Sequence, residues 1–150
     1  MFNESSFTIP TAHLTSGTVY ALDMEPQILS LLQEKVQREG LENVTYVEGI
    51  IEDIPLPNEA VRNVITSLVL HEVETLAKGL QETHRVLMPG GTSFCLEWGK
   101  KTTEQGPPLH HRIASDELEE QMKKEGFEVI TRDYPTESHY ILIVQKNRSQ

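Results

Sequence analysis

Asp23 closes the apolar run Gly17-Thr18-Val19-Tyr20-Ala21-Leu22 and leads directly into Met24-Glu25-Pro26. A carboxylate at the end of a buried strand is the group with which doubly wound α/β folds hold the hydroxyls of a nucleotide ribose. It can equally cap a helix beginning at Pro26, and residue type alone leaves both readings open. The glycine-rich loop expected about 20 residues upstream of a ribose-binding acid is not there, because Met1 stands where it would begin. His71, in Leu68-Val69-Leu70-His71-Glu72-Val73, is the candidate general base, or else a solvated helix start. His110 and His111 lie in a stretch rich in glycine and proline. Adjacent side chains diverge, so the pair reads as a substrate contact, and no metal site is expected. Glu97-Trp98 ends an apolar run, with Trp98 either packing or forming a substrate platform. Cys95, the single cysteine, sits inside that run as a buried inert thiol and can form no disulfide within the chain.

The elements that must carry these residues alternate along the chain. Short apolar runs at 18–23, 44–47, 63–69 and 92–98 read as buried strands. A helix is predicted over 26–39, with Ile28, Leu32 and Val36 as its core stripe, and a second over 75–87, stopped by Met88-Pro89-Gly90-Gly91. The segment Glu52-Asp53-Ile54-Pro55-Leu56-Pro57 is loop, as is the irregular stretch 99–112. Ser115 caps a further helix ending at Gly126, with Glu117, Glu119 and Glu120 on its exposed face. Two last strands, about 127–133 and 139–145, form an antiparallel hairpin. Strands alternating with helices predict one α/β domain over 1–150, its sheet mainly parallel and covered on both faces. The net charge of −10 argues against a nucleic-acid partner. No apolar run reaches the roughly 18 residues of a membrane span, and Met1 to Ser6 lacks signal-peptide character. A cytoplasmic protein without membrane association is the expectation.

Four stretches carry a resemblance: 17–29, 44–57, 64–73 and the element His84-Arg85-Val86-Leu87-Met88-Pro89-Gly90-Gly91. Their order resembles the Rossmann-like S-adenosylmethionine-dependent methyltransferases, in particular the small type 11 group that includes quinone-biosynthesis-like enzymes. The resemblance implies a three-layer α/β/α sandwich whose first strand and glycine loop are missing, that loop aligning with Met1, Asn3 and Ser5. It implies S-adenosylmethionine as cofactor, with Asp23 on the ribose, Met24, Ile50 and Ile51 around the adenine, and Ser67 and Leu68 near the methionine part. His71 would face the transfer site and a small-molecule methyl acceptor, with Trp98, His110 and His111 as substrate contacts. Ile50 stands where an adenine-contacting acid is often found, and Val61-Arg62 where a Phe-Asp pair usually stands. The missing strand would be central, between 18–23 and 63–69, leaving a slot of roughly 9.5 Å. A homodimer or partner chain would then fill it, unless the sheet closes up or the chain is unstable alone. Two rival readings are a non-catalytic remnant or partner subunit, and a nicotinamide-dependent oxidoreductase that shares the strand-end acid.

Overall fold

The computed structural model describes residues 5–147. Strand β1 (Val19–Asp23) pairs in parallel with β2 (Val44–Glu48). Between them runs α2 (Pro26–Arg38), which Pro26 opens at its first helical position, where a missing N–H costs nothing. Leu29, Leu32 and Val36 are its buried stripe, and Leu32 and Val36 pack on Ala21 of β1. Leu29 thus takes the place expected for Ile28.

The remaining strands form a separate sheet. β3 (Val61–Ser67), β4 (Leu87–Trp98), β5 (Phe127–Thr136) and β6 (His139–Lys146) lie in the order β3-β4-β6-β5. The β3–β4 pair is parallel, whereas β4–β6 and β5–β6 are antiparallel. The architecture is therefore evenly mixed rather than mainly parallel, with the terminal hairpin where the sequence puts it. Helices α3 (Leu76–Val86) and α4 (Ser115–Lys124) cover the face that carries Thr66 and Cys95. There Leu80, Leu87, Leu118, Met122 and Leu142 are almost wholly enclosed. Each such side chain contributes about 2 kcal/mol of transfer free energy. Gly126 ends α4 at φ +92°, and a Cβ there would lie 2.8 Å from His84 Nε2, so both backbone and packing demand glycine. Lys146 donates from Nζ to the carbonyls of His84 and Leu87, pinning the end of β6 onto the α3–β4 junction.

Three sequence expectations change, and one helix was not anticipated. Residues 5–14 form a helix, α1 (Ser5–Leu14), in spite of Pro10 inside it, which on sequence grounds argues against one. Ala114, not Ser115, occupies the N-cap of α4. Glu119 is only half-exposed and is shared by Arg132 and Lys123. Met88 to Gly91 stops α3 but is itself part of β4, absorbed where the register shifts between Val61 and Asn63 of β3. Of the positions aligned with a glycine loop, Met1 and Asn3 lie outside the described residues, and Ser5 opens α1.

The sheet has not closed up. No pairing joins β1 to β3 among the described residues. Helix α1 lies across the division: Ile9 packs into the Ala21–Leu32–Val36 cluster, while the Phe7 ring sits 6.4 Å from that of Phe94 on β4.

Arg85, at the end of α3, clamps the proline-rich loop between β2 and β3. It donates to the carbonyls of Leu56 (2.8 Å) and Ile54 (2.7 Å) and to Glu82 (2.8 Å). Glu82 in turn accepts the Ile54 N–H at 2.9 Å. The Arg85 hydrogen bond, opposed by desolvation, holds the Glu82 carboxyl below its ordinary value of 4.5. Arg85→Met leaves these acceptors bare and is expected to lower the unfolding free energy by about 2–3 kcal/mol, read from the urea midpoint. A depressed carboxyl stabilises above its unfolded value and loses that contribution as pH falls through the folded one. Glu82→Gln should accordingly flatten the acid limb of stability below about pH 4.5. An unchanged acid limb in that variant would refute the clamp.

Candidate functional site

The carboxyl ends of the parallel strands are where α/β sheets place ligands, and the candidate residues collect there. Asp23 ends β1. One of its carboxylate oxygens, Oδ1, accepts the Glu25 N–H at 2.9 Å, turning the chain into α2. Among the described residues the other oxygen makes no hydrogen bond, so the cap and a free acceptor coexist in one side chain. The Gly49 N–H donates to the Asp23 carbonyl at 3.0 Å and brings the turn after β2 alongside. Met24 and Ile50 stand 65% and 41% exposed there, a large apolar surface beside an unpaired carboxylate oxygen. Ile51 turns inward, packing against Gly79 of α3 and the main core.

At the end of β3, Ser67 is buried and its Oγ has no hydrogen-bond partner among the described residues. Leu68 follows at φ +58°, a left-handed conformation that costs a branched residue about 1–2 kcal/mol. Its N–H still donates to the Leu96 carbonyl at 2.9 Å, which holds the strained position in place. Such strain is characteristic of sites where backbone shape is part of the function.

His71 follows in a single 3-10 turn, Leu70–Glu72. It is not a solvated helix start. Its side chain is 8% exposed, and Nδ1 lies 2.7 Å from Oε1 of Glu97, which is fully enclosed at the end of β4. The backbone N–H groups of His71 (3.2 Å) and Trp98 (2.9 Å) donate to the same carboxylate. Three donors thus converge on one buried acceptor. The hydrogen-bond pattern assigns the imidazole proton to Nδ1 and leaves Nε2 as the basic nitrogen.

The stretch 99–112 forms a strap that Arg112 organises. Its guanidinium donates to the carbonyls of Pro107 (2.9 Å), Lys101 (2.6 Å) and Gln105 (3.1 Å) and to Thr103 Oγ1 (2.7 Å). It also lies 5.0 Å from the centre of the Trp98 ring, against which His139 packs at 4.2 Å. Burial, then the Arg112 charge, pushes His139 below its ordinary value, against an upward pull from Glu97. Gly106, at φ +100°, leaves no room for a side chain, since a Cβ there would lie 3.0 Å from the Trp98 ring and from the Arg112 guanidinium. Trp98 is therefore packing within this anchor. His110 and His111 form an exposed T-shaped pair, 4.3 Å between centroids, within the strap's last turn, Leu109–His111. Neither hydrogen-bonds to the groups around Asp23 or His71. Among the described residues no group of three or more His, Cys, Asp or Glu side chains is placed to hold a metal ion. Burial pushes the Cys95 thiol up to about 12, so it offers no thiolate. No helix among the described residues is long and apolar enough to cross a membrane.

From the sequence Glu97 is named only as the residue that ends the run before Trp98, not as the partner of His71, and Arg112 is not named at all. Glu97 carried a usable signal, because alternation along β4 puts it on the buried face with Ser93 and Cys95. Arg112 carried none.

Comparison with known proteins places the same residues in context. The profile of a family described as a methyltransferase domain matches residues 4–95, a span that includes every candidate from Asp23 to His71 but not Trp98, His110 or His111. Demethylmenaquinone methyltransferase of Geobacillus stearothermophilus is 35% identical over 86 residues, 57% of this chain and 37% of that protein. A ubiquinone/menaquinone biosynthesis C-methyltransferase of Proteus mirabilis is 34% identical over 86 residues, 57% of this chain and 34% of its own length. This chain therefore spans little more than a third of the curated relatives it matches. Among solved structures, a SAM-dependent methyltransferase from Aquifex aeolicus superposes with TM-score 0.85 at 24% identity, over 94% of this chain and 77% of that one. A structure from Sulfolobus solfataricus described as a type 11 methyltransferase gives 0.78 at 20% identity, over 95% and 79%.

Replacing Glu97 by Ala strands three N–H donors and is expected to cost on the order of 3 kcal/mol. Glu97→Gln keeps an acceptor and should fold, but its amide no longer specifies the proton on Nδ1. Long-range nitrogen–proton correlation spectra of His71 should show the Nδ1–H tautomer in the parent and a shift towards Nε2–H in Glu97→Gln. An Nε2–H tautomer already dominant in the parent would refute the assignment.

Proposed function

Because this chain belongs to the type 11 family of S-adenosylmethionine-dependent methyltransferases, we propose that it holds this cofactor at the carboxyl ends of β1 to β3 and methylates a small-molecule acceptor. One observation carries the reading: a carboxylate at the end of β1 with one oxygen committed to the fold and one free, beside the exposed Met24 and Ile50.

The residues present fit the adenosine half of the cofactor. Asp23 offers its free oxygen to the ribose hydroxyls, as a charged acceptor suits two donors. Met24 and Ile50 flank the purine with apolar and polarisable surface, whereas Ile51, expected beside them, is packed inward against Gly79 and the main core. Ser67, whose buried hydroxyl lacks a partner, and Leu68 border the methionine portion. When bound, the cofactor supplies a methyl group already activated on a sulfonium. What remains for the protein is to align the acceptor, exclude water and take a proton where the acceptor must lose one. His71 takes that proton at Nε2, while Glu97 keeps Nδ1–H in place and stabilises the imidazolium that results. Trp98, through its contacts with Arg112 and His139, fixes the strap beside this pair, and His110 and His111 lie further out as contacts for a larger acceptor. The relatives that act on demethylmenaquinone make an aromatic small molecule the first acceptor class to screen.

Among the described residues no pairing joins β1 to β3, which favours a second reading, a non-catalytic relative or partner subunit that does not bind the cofactor. Calorimetric titration separates the two. S-adenosylmethionine and S-adenosylhomocysteine are expected to bind, and a nicotinamide dinucleotide is not. Asp23→Asn keeps the acceptor for the Glu25 N–H, so it should fold normally while weakening binding by about tenfold, a loss of about 1.4 kcal/mol. Absence of binding by either sulfur cofactor to the folded parent would overturn the enzyme reading.

A further inference from the structure

The strap 99–112 crosses the carboxyl end of β4, and the pairing of β4 with β6 shows how. Trp98 lies opposite His139 and Glu97 opposite Tyr140, so the first pair projects from one face of the sheet and the second from the other. The strap leaves at Trp98. It returns at Ile113, whose carbonyl accepts the Tyr140 hydroxyl at 2.6 Å on the face that α4 covers. Its path therefore passes over the strand end that carries Glu97 and, bonded to it, His71.

Within itself the strap is held by Arg112, whose guanidinium reaches from Lys101 to Pro107. Its hold on the β5–β6 turn is of another kind. Gly99 donates its N–H to the Ser138 carbonyl at 2.8 Å, and the His139 ring lies 4.2 Å from the Trp98 ring at an angle of 38°. The Arg112 guanidinium already lies over the same indole. One cation on an aromatic ring is attracted to it, but a second in the same half-buried place meets the charge of the first. His139 fits there as an uncharged neighbour. Thr136 Oγ1 accepts the Ser138 N–H at 3.0 Å and so has its own proton to give to His139 Nδ1, 2.7 Å away. A proton arriving at Nδ1 displaces that bond. Burial holds His139 below its ordinary value of 6.5; Glu97 pulls it up and Arg112 pushes it down. Of the other charges near the turn, Glu137 is exposed and Lys100 is engaged by Glu117 at 3.5 Å.

We infer that His139 is an acid-sensitive latch on the strap: uncharged, it docks the strap on the β5–β6 turn through Trp98, and charged, it lets the strap go. Arg112 preserves the strap's own shape in both states, so what changes is its seat across the strand end. The sign is fixed by the direction of the shift. A histidine held below its ordinary value contributes fully above about 6.5, and that contribution is lost as pH falls through the folded value. Mild acid therefore uncovers the strand end beside Glu97 and His71. That this controls entry of a methyl acceptor rests on the function proposed above; the latch itself does not.

The test uses the intact chain without cofactor or acceptor, so it stands apart from cofactor binding. His139 is titrated by its ring proton shifts from about pH 7.5 to about 4.5, beside the emission of Trp98, the single tryptophan, and amide exchange protection. The His139 midpoint is expected below 6.5, with the Trp98 emission changing at the same midpoint. Protection of the Gly99 amide should fall by at least about tenfold through it, while Leu142 and Val144 of β6 keep theirs. His139→Phe keeps a ring on Trp98 but takes no proton, so its emission and its Gly99 protection should not respond. His139→Gln, uncharged at every pH, should likewise show no response. Three results overturn the inference: a midpoint at or above 6.5, a Gly99 response that persists in these variants, or loss of protection at Gly99, Leu142 and Val144 together, which is unfolding of the whole sheet.

Discussion

A carboxylate with no exposed surface can sit at the end of β4 only because main-chain N–H groups and one imidazole converge on it. Glu97 is that carboxylate, and the site depends on it. An unpaired buried charge would cost several kcal/mol, far more than a domain of this size can spare. Satisfying it constrains three things at once: the course of the backbone after β3, the turn into the strap at Trp98, and the ring orientation of His71. Remove the carboxylate and all three lose a common reference. The nearby left-handed Leu68 fits the same picture, since a strained residue persists only where its surroundings over-determine it.

The division of the sheet follows a different logic. Each half has its own core, one around Ala21, Leu32 and Val36 and a larger one around Leu87, Cys95, Leu118 and Leu142. Side-chain burial therefore does not require β1 and β3 to touch. What joins the halves is α1 on one face and the proline-rich loop, clamped by Arg85, at one end. Among the described residues no strand pairing joins β1 to β3 across the seam in the middle. The Asp23 half of the candidate site lies on one side of the seam and the His71 half on the other, so any change in the seam alters their separation.

Much of this was legible beforehand, and the reasons are particular. Short apolar runs between turn residues located every strand to within a few residues, except that Met88 to Gly91 proved to belong to β4 because a register shift can absorb glycines and a proline. The free edges of β1 and β3 were foreseen only from the strand order that the family resemblance implies. Helix α1 was not, because Pro10 disguised it and its apolar residues mark no clean stripe. Asp23 and His71 were legible by position at strand ends. Their partners were not, since a bond from His71 to Glu97, 26 residues away, depends on which strand lies next to which.

Arg112 and Glu97 together show how the site stays rigid without an ion pair. They are buried charges of opposite sign on either side of Trp98, yet neither is the other's partner. Glu97 is met by backbone N–H groups and an imidazole, and Arg112 by backbone carbonyls, a threonine hydroxyl and an indole face. An ion pair tolerates sliding, because the attraction between two point charges varies smoothly with distance. A charge solvated by main-chain dipoles does not, because each bond has its own direction and each lost bond leaves a buried polar group bare. The strap and the turn at His71 are thereby tied to one backbone path. Rigidity on this side of the site follows from that.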